Sequence, residues 1–169
     1  RALVLSERDE KPVRVTDTGN FVHDVLRRFA DAAKDLQTEE ECERFLTEQA
    51  NALLAAPPYC FLADTQTGEY SAKALVREAV LVGLRVYENL KNSDFRIAAA
   101  EVTFGYADSP YAGIPLLRGG RELRLSGKID RVDKGQGYVR VIDYKTGSID
   151  VKEDAYYSGR KMQLELYLS

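Results

Sequence analysis

Apolar positions recur at three- and four-residue steps up to about Leu90 and at two-residue steps beyond it. Val22, Leu26, Phe29, Ala33 and Leu36 predict a first helix with one buried face. A polar approach, Val13 to Asn20, precedes them, and Asp17 or Thr18 is expected to cap the helix by accepting orphan backbone N–H bonds. Glu39, Glu40, Glu41 and Glu43 suit the start of a second helix, where the dipole favours negative charge. Its stripe is Cys42, Phe45, Leu46, Gln49 and Leu53, and Pro57-Pro58 ends it. Tyr59 to Glu69 reads as a connection. A third helix is predicted from Tyr70 or Ser71 to about Leu90, with Leu75, Ala79, Val82, Val86 and Leu90 inward and Asn92-Ser93-Asp94 as its stop.

From Phe95 the period changes. Phe95, Ile97 and Ala99, then Val102 and Phe104, indicate a strand with a bulge or slip near Ala100. Gly105 to Gly113 is a turn-rich loop. Leu123 and Leu125 alternate with Glu122, Arg124 and Ser126, and the strand continues from Gly127 to Asp133. Lys134-Gly135-Gln136-Gly137 is a turn and Tyr138 to Lys145 a further strand, so the pair reads as a β-hairpin. Met162, Leu164, Leu166 and Leu168 are read, from their setting, as a closing helix cut in mid-course, which points to a C-terminally incomplete fragment of a larger protein.

The 169 residues fit one domain of ordinary size, and no apolar run approaches the ~20 residues needed to span a bilayer. A soluble, cytoplasmic protein is expected. Cys42 and Cys60 have no close partner thiol of the kind that holds zinc or a cluster, and Cys42 reads as a small buried hydrophobe. Charge changes the picture more. Residues 1–117 hold 13 basic and 19 acidic side chains, whereas residues 118–169 hold 11 and 8, so the last third carries a local positive balance despite a net charge of -3. Arg118, Arg121, Arg124, Lys128, Arg131, Lys134, Arg140, Arg160 and Lys161 form a candidate phosphate track, with Tyr138, Tyr144, Tyr156 and Tyr157 as candidate stacking surfaces.

The chemistry concentrates in the hairpin. Asp143 and Lys145 are two apart on a strand and leave one face. If Gln136 and Gly137 form a two-residue turn, Gly135 opposes Tyr138 and Asp130 falls opposite Asp143, with Cβ atoms about 5 Å apart. Val132 and Val141 share that face and Ile129 and Ile142 the other, which predicts a partly shielded cleft. Two carboxylates so close need a cation or a proton between them. The residues alone leave three readings open: a structural ion pair with Lys145, a noncatalytic metal site, or Mg²⁺ on Asp130 and Asp143 with Lys145 orienting water or steadying transition-state charge.

Four blocks in order carry a resemblance: Gly19-x-x-x-His23, Gly127-Lys128-Ile129-Asp130-Arg131-Val132-Asp133, Asp143-Tyr144-Lys145-Thr146-Gly147 and Gln163-x-x-x-Tyr167. The chain resembles the PD-(D/E)XK nuclease superfamily, specifically its RecB-like group, and within it the C-terminal nuclease region of helicase/deoxyribonuclease B subunits. The resemblance implies an α/β, restriction-endonuclease-like fold, a mixed central sheet flanked by helices with a helical N-terminal half, as a single domain over 1–169. It makes His23, Asp130 and Asp143 metal ligands together with the Tyr144 carbonyl, and Lys145 the catalytic lysine. Gln163 and Tyr167 resemble the motif that shapes the active site or contacts DNA. Glu101 reads either as a supporting carboxylate or as an arginine's partner, and Asp133 as a strand-end charge or partner of Arg131.

The implied activity is a Mg²⁺-dependent DNA exonuclease, with Mn²⁺ able to substitute, acting on single-stranded or duplex ends in double-strand-break repair and recombination. The implied partners are DNA, a helicase module in the same parent chain and a partner helicase-nuclease subunit, with no membrane. An inactive DNA-binding or assembly domain and a Cas4-like exonuclease are the alternatives. The B subunits usually carry an iron–sulfur cluster, but Cys42 and Cys60 do not match its cysteine placements, so a cluster stays open for the full-length protein with no ligands assigned here. No phosphate-binding Gly-x-x-x-x-Gly-Lys loop is present, so these residues are not expected to bind ATP.

Overall fold

A computed structural model describes residues 15–63, 66–119 and 121–145. In chain order these form α1 (Val15–Ala32), α2 (Glu39–Leu54), a short 3-10 turn (Cys60–Ala63), α3 (Gln66–Lys91), β1 (Arg96–Phe104), β2 (Ile114–Arg118), β3 (Arg121–Leu125), β4 (Gly127–Gly135) and β5 (Tyr138–Ile142). The architecture is the expected α/β one, a helical N-terminal half followed by sheet. Among the described residues the ladders between strands are antiparallel, in the order β1-β4-β5 for one sheet and β2-β3 for a second. The parallel pairing among them is an isolated bridge, Phe104 to Tyr111.

The three helices close on one another because their apolar stripes meet. Phe21, Val22, Val25, Leu26 and Phe29 of α1 pack with Cys42, Leu46 and Ala50 of α2 and with Leu75, Ala79, Val80, Val86 and Tyr87 of α3. Burial pushes the Cys42 thiol up to about 11, as suits a packed, unreactive sulfur. At Gly83 an added Cβ would stand 2.5 Å from a methyl of Leu46, so the absence of a side chain lets α2 and α3 approach.

Element boundaries depart from the sequence reading where local and tertiary preferences compete. Asp17 and Thr18 do not cap α1; the helix already runs through Val15, so both lie inside it. At α2, by contrast, Thr38 caps: its hydroxyl accepts the Glu41 N–H at 3.2 Å and the Glu41 carboxylate accepts the Thr38 N–H at 3.3 Å. The predicted strand through Leu123 to Asp133 is two strands broken at Ser126, because β3 pairs with β2 while β4 pairs with β1. β2 itself was not anticipated; Pro115 interrupts its apolar pattern, and its residues Leu116 and Leu117, with Leu123 of β3, are exposed. The expected closing helix lies outside the described residues.

The β4–β5 hairpin has the register expected of a two-residue turn. Gln136 and Gly137 both have positive φ, 50° and 81°, and Gly135 pairs with Tyr138. The ladder ends at Arg131 and Ile142, three residues before the predicted end of the strand at Lys145. On the other side of β4, the register against β1 shifts between Ile97 and Ala99, earlier than expected from the apolar pattern. That shift decides which side of the sheet Glu101 reaches.

Candidate metal centre

Three elements build the site. His23 sits on α1 at the margin of the buried stripe, where Val22 and Leu26 anchor the helix and Asp24, the next residue, accepts a 2.6 Å hydrogen bond from the Tyr59 hydroxyl. Tyr59 also stands edge-on to Phe21, so α1 is held on both sides of His23 and the imidazole has a fixed origin. Asp130 comes from the middle of β4, the central strand of its sheet. Glu101 comes from β1, between the pairs Ala100↔Arg131 and Val102↔Ile129, which leaves it abreast of Asp130.

Glu101 reaches this face because of the bulge at Ala98. Had the register of Ile97↔Asp133 continued, Glu101 would oppose Ile129 and point to the other side of the sheet; one extra residue reverses the alternation. Its φ of 56° is a further local departure that a non-glycine residue seldom adopts. His23, Glu101 and Asp130 each present one donor atom, and these atoms lie within 4.8 Å of one another.

The backbone of Tyr144 closes the arrangement. Its N–H donates to Asp130 Oδ2 at 2.7 Å, and its carbonyl oxygen lies 3.1 Å from His23 Nε2. Nδ1 of His23 is 3.4 Å from Asp130 Oδ1. The hydrogen bond with Asp130 raises the His23 pKa above its ordinary 6.5 against the opposing pull of burial, and the charges of Asp130 and Asp143 add to the rise. Burial pushes the Asp130 carboxyl up, but the His23 hydrogen bond, the Tyr144 N–H and the charges of His23 and Lys145 together bring it below the ordinary carboxylate value. An ionised Asp130 beside a readily protonated imidazole is the outcome.

Of the residues that the sequence singles out, His23, Asp130 and the Tyr144 backbone come together. Asp143 does not join the three-donor group; it lies just past β5, partly buried, in an ion pair with Lys145. Both remain on the rim, since the charge of Lys145 is felt at Asp130 and that of Asp143 at His23. Glu101 pairs with Lys128, a lysine and not one of the arginines. Gln163 and Tyr167 lie outside the described residues. So do Arg160, Lys161, Tyr156 and Tyr157.

Two expectations are corrected. Arg131, 3% exposed, is enclosed and turned away from any phosphate, and it reaches Asp133 at 2.9 Å, as the partly exposed Arg140 does at 2.7 Å. Of the two readings of Asp133, the structure bears out the partner of Arg131 and not the strand-end charge: it is fully enclosed, shared by Arg131 and Arg140 on the face opposite Asp130. Arg131 partnership was legible from the alternation of β4; the burial was not.

The clustered donors are one imidazole nitrogen and two carboxylates, with the Tyr144 carbonyl beside the imidazole, on a scaffold that shields without enclosing them. Oxygen-rich ligation with a single imidazole suits Mg²⁺ or Mn²⁺ better than zinc.

These features define a class, an α/β protein whose helix-borne imidazole and strand-borne carboxylates surround a candidate divalent-cation site. The family pattern of the PD-(D/E)XK nuclease superfamily matches residues 1–169, and the chain belongs to that superfamily. It is similar to the B subunit of the ATP-dependent helicase/deoxyribonuclease of Clostridium perfringens strain SM101, with 31% identity over 97% of this chain and 15% of that protein. The proteins of the same name from Thermoanaerobacter sp. strain X514 and Desulforudis audaxviator are 34% and 33% identical, over 90% and 99% of this chain and 14% and 15% of theirs. The chain thus spans only about 15% of the length of these relatives.

A pH dependence follows from the His23–Asp130 pair. His23 is the chain's sole histidine, so its ring C2 proton reports the site in an NMR titration. It is expected to titrate above 6.5. Because the folded value is raised, the pair's contribution to stability is complete below the unfolded pKa and is lost as pH rises through the folded one. Metal ligation needs the neutral ring, so Mn²⁺ affinity measured by calorimetry is expected to climb through that same pKa and level off above it. Titration below 6.5, or affinity independent of pH, contradicts the pairing.

Proposed function

We propose that the chain hydrolyses DNA phosphodiester bonds in a Mg²⁺-dependent reaction, with Mn²⁺ able to substitute, and acts as an exonuclease on single-stranded or duplex ends. The observation that carries this reading is the convergence of His23, Glu101 and Asp130 donor atoms within 4.8 Å, in a chain of a nuclease superfamily. His23, Asp130, Asp143 and the Tyr144 carbonyl would hold the ion, with Glu101 as a further carboxylate. A bound Mg²⁺ supplies Lewis-acid polarisation of the scissile phosphate and acidifies water.

The protein's own groups do the rest. Lys145, half exposed and two residues beyond Asp143, would orient the attacking water or neutralise charge that grows on the phosphate oxygens. Its amine is paired with the Asp143 carboxylate. Gln163 and Tyr167, one helical turn apart in sequence, are assigned to shaping the site or contacting DNA. Arg121 and Lys134, both exposed, would offer charge to phosphates.

The names of the relatives support a place in a helicase-nuclease: a single nuclease domain within a longer chain bearing a helicase module, working with a partner subunit in double-strand-break repair and recombination. A cytoplasmic location accords with this role; among the described residues no helix is long and apolar enough to cross a membrane. The test is degradation of linear DNA in Mn²⁺ by the chain and by its Asp143→Ala and Lys145→Ala variants. Activity in the first and near-complete loss in both variants, with DNA binding retained, is expected. Equal degradation by all three removes the assignment of Asp143 and Lys145.

A further inference from the structure

We infer that Arg131 is a positioning residue for the metal centre: it anchors the side chain of Tyr144 and thereby sets where the Tyr144 backbone meets Asp130 and His23. The inference rests on the reading of that cluster as a divalent-metal site. Tyr144 lies beyond the end of β5 at Ile142, past the last ladder pair, Arg131↔Ile142. Yet both polar groups of its peptide backbone face the site, the N–H at 2.7 Å from Asp130 and the carbonyl at 3.1 Å from His23. Backbone outside a ladder needs another anchor to hold positions that well.

The anchor is the phenol. Arg131 Nη1 donates to the Tyr144 hydroxyl at 2.8 Å, and the guanidinium lies 5.6 Å from the ring centroid. The same ring stands edge-on to the His23 imidazole, 5.7 Å between centroids. Arg131 is itself immobilised: Nη2 donates to Asp133 Oδ2 at 3.1 Å, and Nε approaches Oδ1 at 2.9 Å, an ionic contact without hydrogen-bond alignment. Arg140 fixes the same carboxylate from β5 and lies 4.4 Å over the Phe95 ring. A rigid relay, Asp133 to Arg131 to Tyr144, therefore links the closed side of the sheet to the metal side. Only a planar fork serves both ends at once, so lysine is not an equivalent here.

Partners that orient metal ligands are worth between about 10- and 100-fold in metal affinity. The experiment is Mn²⁺ titration of the full chain by calorimetry, with Tm recorded for each variant, for the unaltered protein, Tyr144→Phe, Arg131→Lys and Asp130→Asn. Tyr144→Phe and Arg131→Lys are expected to weaken Mn²⁺ by about 10-fold or more while unfolding cooperatively. The Mn²⁺ concentration for half-maximal cleavage of linear DNA is expected to rise by the same factor. A purely structural role lowers Tm and leaves the affinity of folded protein unchanged, and that result in Tyr144→Phe overturns the inference; this variant keeps the Arg131–Asp133 pair and decides alone if Arg131→Lys does not fold. Unaltered protein that binds Mn²⁺ no better than Asp130→Asn overturns instead the metal-site reading, and the inference with it.

Discussion

Asp130→Asn is expected to abolish metal-dependent cleavage and to weaken Mn²⁺ binding by more than about 100-fold. The bound on the loss comes from the outer partners of metal ligands, which already cost up to about 100-fold; a direct ligand should cost more. Asparagine has nearly the shape of aspartate but no charge, and its amide is half donor. The carboxylate it replaces accepts from the Tyr144 N–H and lies against His23, so the substitution removes the anion both groups face. Two readouts need no activity. Mn²⁺ at a hundred times its dissociation constant should stabilise the unaltered protein by about 2.7 kcal/mol and leave the variant unmoved. The His23 pKa should fall, since the Asp130 hydrogen bond is the largest cause of its rise. Retained Mn²⁺ stabilisation in Asp130→Asn contradicts the assignment.

Asp133→Ala is expected to be the most destabilising single change in the sheet, by about 3–5 kcal/mol, and to weaken Mn²⁺ binding in the protein that stays folded, because Arg131 loses its anchor. The magnitude follows from what stays behind. Asp133 is fully enclosed and carries two arginines, one of which, Arg131, is 3% exposed and has no route to water. Arg140 is partly exposed and can turn outward. Urea unfolding measures the loss. Combining Asp133→Leu with Arg131→Met should recover most of the stability, because replacing a buried ion pair by apolar groups of similar size is often neutral, whereas halving it is not. That double variant should still bind Mn²⁺ poorly, because it lacks the Tyr144 anchor. A loss below about 1 kcal/mol in Asp133→Ala places the pair among weak surface contacts and contradicts its burial.

The local features were the legible ones. The Glu-rich start of α2 and the Gly135–Tyr138 turn each involve residues a few positions apart, and propensity acts at that range. The hairpin register followed from its turn, and with it the neighbourhood of Asp130 and the Asp143–Lys145 pair. The cap expected at Asp17 or Thr18 falls inside α1, which already includes Val15. The pairing of β2 with β3 was missed because Pro115 and exposed leucines break the alternation that marks a half-buried strand. The enclosure of Arg131 was not legible for a related reason: charge in a sequence has no sign of burial, and only the buried Asp133 turns this arginine inward.

By itself, the sequence determined the helical first half, the β-hairpin and the identity of most chemical groups, since each depends on spacing within one element or across one tight turn. The tertiary structure alone decided that Glu101 stands beside Asp130 and that Tyr144 reaches both Asp130 and His23. The physical reason is register. A single bulged residue at Ala98 reverses which side of β1 faces the site, and a contact between α1 and residue 144 depends on how whole elements pack, which no local pattern encodes.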